Sequence, residues 1–283
     1  MLINPVNEFR YKLRSWSGTP ANAYGTLCTK ATNAYGTWTS LISGASVAHD
    51  IYAVYININR IGGGAASDTI CNIGIDPAGG TSFTTLIPDL LCSAAAVYAA
   101  SFNGASGGIS YYFPIFIPAG SSVGAQFSTN GAVNNPYAML TLYGQPSRPD
   151  AINVGRWVDS YGITAASSSG TAVTPGTSSP GSWTSLGTPS RSGWYTQVGL
   201  GINDSTMAAE AYLCDLAAGD ASNKRILTEH NLFATDTLEQ MGNCYRDEQC
   251  YGMVTTSDTL YGRIQASATG NSNLSLAAYV LGG

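Results

Sequence analysis

The stretch "DIYAVYININR", from Asp50 to Arg60, decides the fold class. Its side chains alternate with a period of two, the period of a β-strand whose two faces meet different surroundings. The closing stretches "AMLTLYG" (138–144) and "LSLAAYVLG" (274–282) have the same character. Clusters of Gly, Asn, Pro and Ser separate such stretches about every ten residues, so the pattern predicts an all-β protein. On this strand one face would carry Ile51, Ala53, Tyr55 and Asn57, and the other Tyr52, Val54, Ile56 and Ile58.

The composition agrees with strands and turns rather than helices. Of the 283 residues, 44% are hydrophobic, which is enough for a sizeable core. Only 10% are charged, against about 25% in an average soluble domain. Ser, Thr and Asn compete with the helix backbone and the 33 glycines lose too much entropy in a helix, so both favour turns and half-buried strands.

The charge distribution excludes several classes of partner. With a net charge of −5 and 12 thinly spread Lys and Arg, the chain has no basic stripe. Nucleic acid and anionic membranes are therefore not expected as partners. No run of about 18 apolar residues predicts a transmembrane helix, and the charged N-terminal stretch lacks the apolar part of a secretory signal. The six cysteines are expected as free thiols in a reducing cytosol, although Cys244 and Cys250 are close enough in sequence to bridge.

Weak internal repeats divide the chain into two copies. The tetrapeptide "WTSL" begins at Trp38 and again at Trp183. Further matches follow in the same order with a steadily falling separation, and one of them aligns Gln126 with Gln265. Loop deletions between matching strands would produce this drift, so the repeats indicate a tandem duplication.

The duplication predicts two antiparallel β-sandwich domains, 27–146 and 160–283. They follow an extended N-terminal arm, 1–26, and are joined by a linker, 147–159. About eight short strands in each copy favour a jelly-roll-like sandwich over a barrel or a propeller.

Several motifs resemble catalytic or binding sites, but each lacks a required neighbour. His49 and His230 have no further ligands at the spacing of a zinc site. "GASGG" (104–108) matches a nucleophile elbow in form, with Ser106 at its centre, but the strand and helix that an elbow needs are not indicated. "IGGGAAS" (61–67) lacks the Lys and the Ser or Thr that end a phosphate-binding loop. We therefore predict no catalytic residue, no metal and no cofactor.

The densest polar cluster is "YRDEQC" (245–250). Adjacent carboxylates on a strand point to opposite faces, so Asp247 and Glu248 cannot act as a pair if this segment is extended. A solvated loop, or a loop salt-bridged to a neighbouring subunit, is favoured over a cation site.

Aromatic residues are the clearest sign of a binding function, because Tyr and Trp suit both subunit interfaces and sugar stacking. Trp38 and Trp183 recur in both copies and are expected in the sandwich cores. The adjacent pair Trp194 and Tyr195 is a candidate for glycan binding.

Another group of aromatic residues is expected at a capsid or subunit interface. In "YYFPIFIPAG" (111–120) both faces of the extended chain are apolar, and Pro114 favours an edge strand. One face would then meet the core and the other a neighbouring domain or subunit. The interface candidates outside the arm are Phe113, Phe116, Trp157 and Tyr161, of which the last two are expected equally in a core.

The N-terminal arm also alternates apolar and polar residues. It could therefore add a strand to the sheet of a neighbouring molecule. The apolar positions are Phe9, Tyr11, Leu13 and Trp16.

The segments "PIFIPAGSSVGAQFS" (114–128) and "AMLTLYGQP" (138–146), together with the two jelly-roll-like copies, resemble capsid-associated proteins of tailed bacteriophages. The nearest types are decoration or cement proteins and the head spikes of phage-like gene transfer agents. The resemblance implies a non-enzymatic virion protein on the outer capsid surface, assembled in the host cytoplasm. Its implied partners are the major capsid protein and copies of itself, in a homo-oligomer such as a trimer.

Two features depart from this resemblance. Decoration proteins are often single-domain, and no coiled-coil or collagen-like repeat marks a fibre here. The alternative function is a receptor-binding adhesin, in a tail or head fibre, that recognises host surface glycans. An enzyme such as a glycan hydrolase ranks last.

Overall fold

A computed structural model shows a chain built from short and medium β-strands. It describes residues 11–15, 25–60, 67–94, 108–131, 135–147, 153–167, 169–202, 210–235, 241–245, 251–267 and 274–283. None of the helical segments in these ranges is long and apolar enough to cross a membrane.

The strands fall into two sets of ten. The first set is β1 (Tyr11–Arg14), β2 (Thr26–Leu27), β3 (Lys30–Thr32), β4 (Thr39–Ile42), β5 (Ile51–Arg60), β6 (Ser67–Asp76), β7 (Thr84–Ala94), β8 (Gly108–Phe113), β9 (Ser122–Thr129) and β10 (Pro136–Gly144), with a 3₁₀ turn at Gly44–Ser46. The second set is β11 (Trp157–Tyr161), β12 (Thr171–Ala172), β13 (Thr184–Gly187), β14 (Gly193–Ile202), β15 (Ala211–Gly219), β16 (Lys224–Thr235), β17 (Met241–Tyr245), β18 (Tyr251–Val254), β19 (Thr259–Ala266) and β20 (Leu274–Gly282). We refer to β1–β10 as the first copy and to β11–β20 as the second copy.

Each copy folds into two facing sheets with the same strand order. The front sheet is β1-β10-β5-β8 in the first copy and β11-β20-β14-β18 in the second. The back sheet is β4-β9-β6-β7 in the first copy and β13-β19-β15-β16 in the second, where β17 extends it. Alternation of early and late strands in both sheets is the arrangement of a jelly roll. The prediction of an all-β chain with two tandem jelly-roll sandwiches is therefore confirmed.

The start of β5 departs from the predicted alternation. From Ala53 onward the faces are as expected, but Ile51 lies in the core and Tyr52 packs in a separate cluster with Ala53. The pairing with β10 shifts register between Tyr143 and Gly144. This bulge exchanges the faces of the first two residues, because an extra residue in a strand reverses the side-chain direction.

The described part of the N-terminal arm belongs to the first sandwich. Tyr11 to Arg14 pair with Gly144 to Thr141 of β10, so β1 completes the front sheet of its own copy. In the second copy β11 pairs with β20 in the same way, although its residues begin within the predicted linker. The described arm residues 11–14 thus pair with a strand of their own copy, and β1 forms an edge of the front sheet.

A β-bulge at the same place marks both copies. In β7, Asp89 has a φ of 52° and its N–H donates to Oδ1 of Asn72 at 2.8 Å. In β16, His230 has a φ of 55° and its N–H donates to Oδ1 of Asp215 at 2.8 Å. In each copy a side-chain oxygen replaces the ladder acceptor that the bulge removes.

The bulge fixes the alignment of the two copies. Asn72 lies directly opposite Gln126 on β9, and Asp215 lies directly opposite Arg263 on β19. Gln126 therefore corresponds to Arg263. Its sequence match with Gln265 is wrong by two residues.

The two copies pack with an edge of the first sandwich against a sheet face of the second. The β7–β8 edge of the first sandwich lies against the front sheet of the second, where β7 contacts β14 and β11. β17 of the second copy approaches β8. Every residue of β20 is buried, because one face of this strand meets its own core and the other meets the first copy.

Candidate binding surfaces

The contact between the copies is held by a buried tyrosine hydroxyl. Oη of Tyr279, on β20, donates to the carbonyl of Asp89 at 2.9 Å and accepts from the N–H of Leu91 at 2.6 Å. Tyr111 donates its hydroxyl to the carbonyl of Leu91. Burial, with a smaller contribution from Tyr111, raises the pKa of Tyr279 well above the ordinary range. The backbone at the edge of β7 is thus satisfied by side chains, which an edge strand otherwise obtains from water or another chain.

A second buried cluster involves the candidate glycan residue Tyr195. Its hydroxyl donates to the carbonyl of Tyr112 at 2.9 Å, and Nε2 of Gln197 donates to the same carbonyl at 2.6 Å. Tyr195 has no exposed surface. It therefore cannot stack against a glycan in this structure, and only the half-buried Trp194 of the predicted pair reaches solvent.

The Asp89 carboxylate binds hydroxyls from both copies. It accepts from Tyr35 of the first copy and, at 2.5 Å, from Ser160 of the second. Burial raises the pKa of Tyr35, and the Asp89 charge adds to the rise. The left-handed backbone of Asp89 turns the carboxylate into this contact, so its role is to position the two copies.

Two glycines let the copies approach closely. A Cβ built on Gly199 of β14 would lie 2.9 Å from Oη of Tyr111 and 3.2 Å from Cβ of Leu91. A Cβ on Gly201 would lie 3.1 Å from Cδ2 of Leu91. Glycine within a strand often marks such a close approach.

Phe113, predicted at a capsid or subunit interface, lies at the boundary between the copies. It has no exposed surface, and its ring meets Tyr195 and Tyr279 edge to face, each with centroids 6.3 Å apart. The neighbour that the apolar stretch 111–120 required is the second copy of the same chain. This part of the first copy's apolar surface is therefore already covered.

Cations cover two more of the predicted interface residues, Phe116 and Trp157. The Arg156 guanidinium lies 4.2 Å from the Phe116 ring, and that of Arg191 lies 3.9 Å from the Trp157 ring. A Cβ on Gly282 would lie 2.3 Å from the same indole, so Trp157 has its two faces occupied.

The second interface candidate on β11, Tyr161, is half-buried against the core. Its hydroxyl donates weakly to Asp159 at 3.4 Å. Asp159 also holds Arg191, with Nε at 2.8 Å from its Oδ2. These contacts give β11 a structural role at the start of the second copy.

Two of the four arm candidates are described. Tyr11 donates its hydroxyl to the carbonyl of Ser46 at 2.6 Å, and its ring meets His49 edge on at 5.2 Å. Leu13 packs half-buried against the core of the first copy. Phe9 and Trp16 lie outside the described residues.

Trp38 and Phe83 form an aromatic platform on the outer face of the first back sheet. Their centroids are 5.5 Å apart, the rings are tilted by 40°, and both are partly exposed. A Cβ on Gly74 would lie 2.5 Å from a ring carbon of Trp38, and one on Gly124 would lie 2.9 to 3.0 Å from three ring carbons of Phe83. Near-equal distances to three carbons place the face of the Phe83 ring over Gly124. The predicted core position of Trp38 is wrong, because the two glycines leave room for the rings outside the sheet.

The corresponding surface of the second copy is covered by cations. The Arg263 guanidinium lies 4.3 Å from the Trp183 ring, and the Lys224 ammonium lies 4.5 Å from the Tyr261 ring. Nε of Arg263 also lies 2.8 Å from the buried carboxylate of Asp215. Trp183 is likewise outside the core, and the prediction for it is also wrong.

The motifs considered for catalysis contribute little to these surfaces. No group of three His, Cys, Asp or Glu side chains that could hold a metal ion occurs among the described residues. Ser106, Asp247 and Glu248 lie outside them, as does Cys250, and no side-chain contact of Cys244 is described. Four of the cysteines are buried, Cys28, Cys71, Cys92 and Cys214, and none of the four forms a disulfide.

A polar groove lies at the turns β15–β16 and β18–β19. It has a volume of about 690 Å³ and is lined mainly by Asp220–Arg225 and Ser257–Asp258. Its charged groups are paired with one another or with backbone: Arg225 lies 3.6 Å from Asp258, and Asp220 accepts backbone N–H groups at 2.7 Å.

Comparisons with known proteins identify no family. No protein-family model matches the chain, and no curated protein matches it. A solved structure titled as the crystal structure of peptide-N(4)-(N-acetyl-beta-D-glucosaminyl) asparagine amidase aligns over 96% of both chains, at 9% identity and a TM-score of 0.38. A likeness of this size supports no statement about function.

Proposed function

We propose that the protein is a non-enzymatic structural component of a bacteriophage virion, placed on the outer capsid surface as a decoration or cement protein or a head spike. The observation that supports this most is the position of the N-terminal strand. β1 ends the front sheet on the side opposite β8, whose edge the second copy covers. β1, the described strand of the arm, therefore lies at the edge that is remote from the second copy.

The described part of the arm is held firmly on the first sandwich. Tyr11 is held by its hydrogen bond to Ser46 and its ring contact with His49, and β1 pairs along its length with β10. Residues 1–10 can then engage the major capsid protein without disturbing the sandwich. Leu27, on β2 along the same edge of β10, is 50% exposed and offers an apolar contact beside the arm.

The rest of the chain suits a building block of a shell. Jelly rolls are used as capsid domains, and the low charge of this chain favours close packing against protein subunits. The buried hydrogen bonds of Tyr279 and Asp89 hold the second copy in one position. Copies of the chain would then repeat at equivalent positions on the capsid as a homo-oligomer.

The test is co-sedimentation of the purified chain with isolated phage heads. We compare the full chain with a variant that lacks residues 1–10, since a cut at residue 10 leaves β1 intact. We expect this variant to melt at the same temperature as the full chain and to lose head binding. Leu27→Ser should weaken binding, whereas Ile226→Ser, at an apolar position 40% exposed on the second copy, is the matched control and should not.

Two results would count against the proposal. If the folded full chain does not sediment with heads, the placement on the capsid is wrong. If the variant without residues 1–10 binds as well as the full chain, the placement stands but the arm is not the attachment.

A further inference from the structure

We infer that the aromatic platform, Trp38 and Phe83, is a binding site for a neutral glycan. This inference is independent of the proposed capsid attachment, because the platform lies on the back sheet and the arm on the front sheet. It also differs from the predicted glycan residues, of which Tyr195 is buried.

The platform offers ring faces to solvent. The face of the Phe83 ring lies over Gly124, two ring carbons of Trp38 lie over Gly74, and both rings keep part of their surface exposed to solvent. The π face of an aromatic ring is electron-rich and attracts the polarised C–H groups that one face of a sugar ring presents. Among the described residues, no cation lies over either ring, in contrast to the five cation–aromatic pairs found elsewhere on the protein.

Uncharged polar residues lie next to the two glycines on the same face of the back sheet. Ser40 lies opposite Gly124 and Thr85 lies opposite Gly74 in the strand register, so the two exposed hydroxyls flank the row of glycines. Gln126 lies two residues beyond Gly124 on the same face of β9 and is partly exposed. Hydroxyls and a side-chain amide can donate to and accept from sugar hydroxyls.

The two carboxylates next to Gly74 and Gln126 are already hydrogen-bonded within the protein: Asp89 accepts from Tyr35 and Ser160, and Asp76 is held by backbone groups. Asp76 lies two residues beyond Gly74 on β6 and is 6% exposed. Its carboxylate accepts the N–H groups of Ala78 and Ser82, each at 2.9 Å. The surroundings therefore favour a neutral sugar over an acidic or a basic one.

In the second copy, cationic side chains cover the aromatic rings at the corresponding positions. By the register of the sheets, Phe83 and Gly124 correspond to Lys224 and Tyr261, and Gln126 corresponds to Arg263. In the second copy a cation covers each aromatic ring. The first copy has Gln126 in place of Arg263 and Phe83 in place of Lys224, so no cation from these positions covers its aromatic rings.

A protein partner fits this surface less well. A stable protein interface buries about 800 Å² on each side, which two rings and three small polar side chains do not supply. The platform matches one or two sugar residues instead.

The experiment is a binding assay on a printed array of defined neutral and sialylated oligosaccharides, followed by calorimetric titration of the strongest binder. We expect saturable binding to neutral oligosaccharides. Trp38→Ala should weaken this binding by about tenfold, which corresponds to about 1.4 kcal/mol, since the indole is the larger of the two stacking surfaces. Trp183→Ala, at the matching position of the second copy, should leave it unchanged.

A second variant keeps both rings. Gln126→Arg introduces the residue of the second copy, whose guanidinium should cover Trp38 and abolish binding. It also tests the site if Trp38→Ala does not fold, as judged by circular dichroism. The inference is overturned if the folded wild-type protein binds no glycan, if Trp38→Ala and Gln126→Arg bind as the wild type does, or if either changes the oligomeric mass instead of glycan affinity.

Discussion

Removal of the Tyr279 hydroxyl tests how strongly the two copies are coupled. Tyr279→Phe keeps the ring but deletes the acceptor of the Leu91 N–H and the donor to the Asp89 carbonyl. A buried N–H without an acceptor costs about 1–3 kcal/mol, and loss of one ordinary hydrogen bond costs about 0.5–1.5 kcal/mol. We therefore expect the free energy of unfolding to fall by about 2–4 kcal/mol.

Urea denaturation followed by intrinsic fluorescence and far-UV circular dichroism measures this change. The matched control is Tyr261→Phe, since Tyr261 is half-exposed and its ring contact with Lys224 does not need the hydroxyl. We expect the control to change the free energy by less than about 0.5 kcal/mol. If Tyr279→Phe is no more destabilising than the control, the hydroxyl does not couple the copies and the reasoning fails.

Two further predictions follow from buried ionisable groups. Burial raises the pKa of Cys28 to about 12 and that of Cys71 well above its ordinary value. Both thiols should therefore resist Ellman's reagent at pH 8 until the protein is unfolded. Rapid labelling of either thiol in the native protein, mapped by mass spectrometry, would contradict this prediction. Because folding raises the pKa values of these thiols and of Tyr35 and Tyr279, the folded chain holds more protons than the unfolded chain at alkaline pH. The contribution of these groups to the free energy of unfolding should be complete below about pH 8.5, decrease above it, and decrease more steeply above about pH 10. A melting temperature that stays constant from pH 8 to pH 11 would refute this prediction.

The sequence was sufficient for the class of fold and for the duplication. Alternating strands separated by turn residues predicted the sandwiches, and "WTSL" marks equivalent strands, β4 and β13. The faces of Ile51 and Tyr52 could not be predicted, since they depend on a bulge in the pairing with β10, far along the chain. The match of Gln126 with Gln265 failed for a related reason: strand pairing sets the register, and local similarity does not.

The binding surfaces were harder to predict. Repetition of Trp38 and Trp183 suggested a core position, because core residues recur in duplicated folds. A usable signal was present in the strands "CNIGID" and "SVGAQFS", whose glycines Gly74 and Gly124 sit within strands where another group approaches the backbone. The partner of Phe113 could not be identified from the sequence. The pattern of an apolar strand face is the same whether that face contacts another molecule or the second domain of the same chain.

The position of the chain on the virion is the central claim, and electron microscopy with gold-labelled antibodies against the second copy tests it most directly. On intact phage particles that contain the chain, the proposal predicts label over the outer surface of the heads. Label confined to tails, or none on intact particles that contain the chain by mass spectrometry, would contradict it.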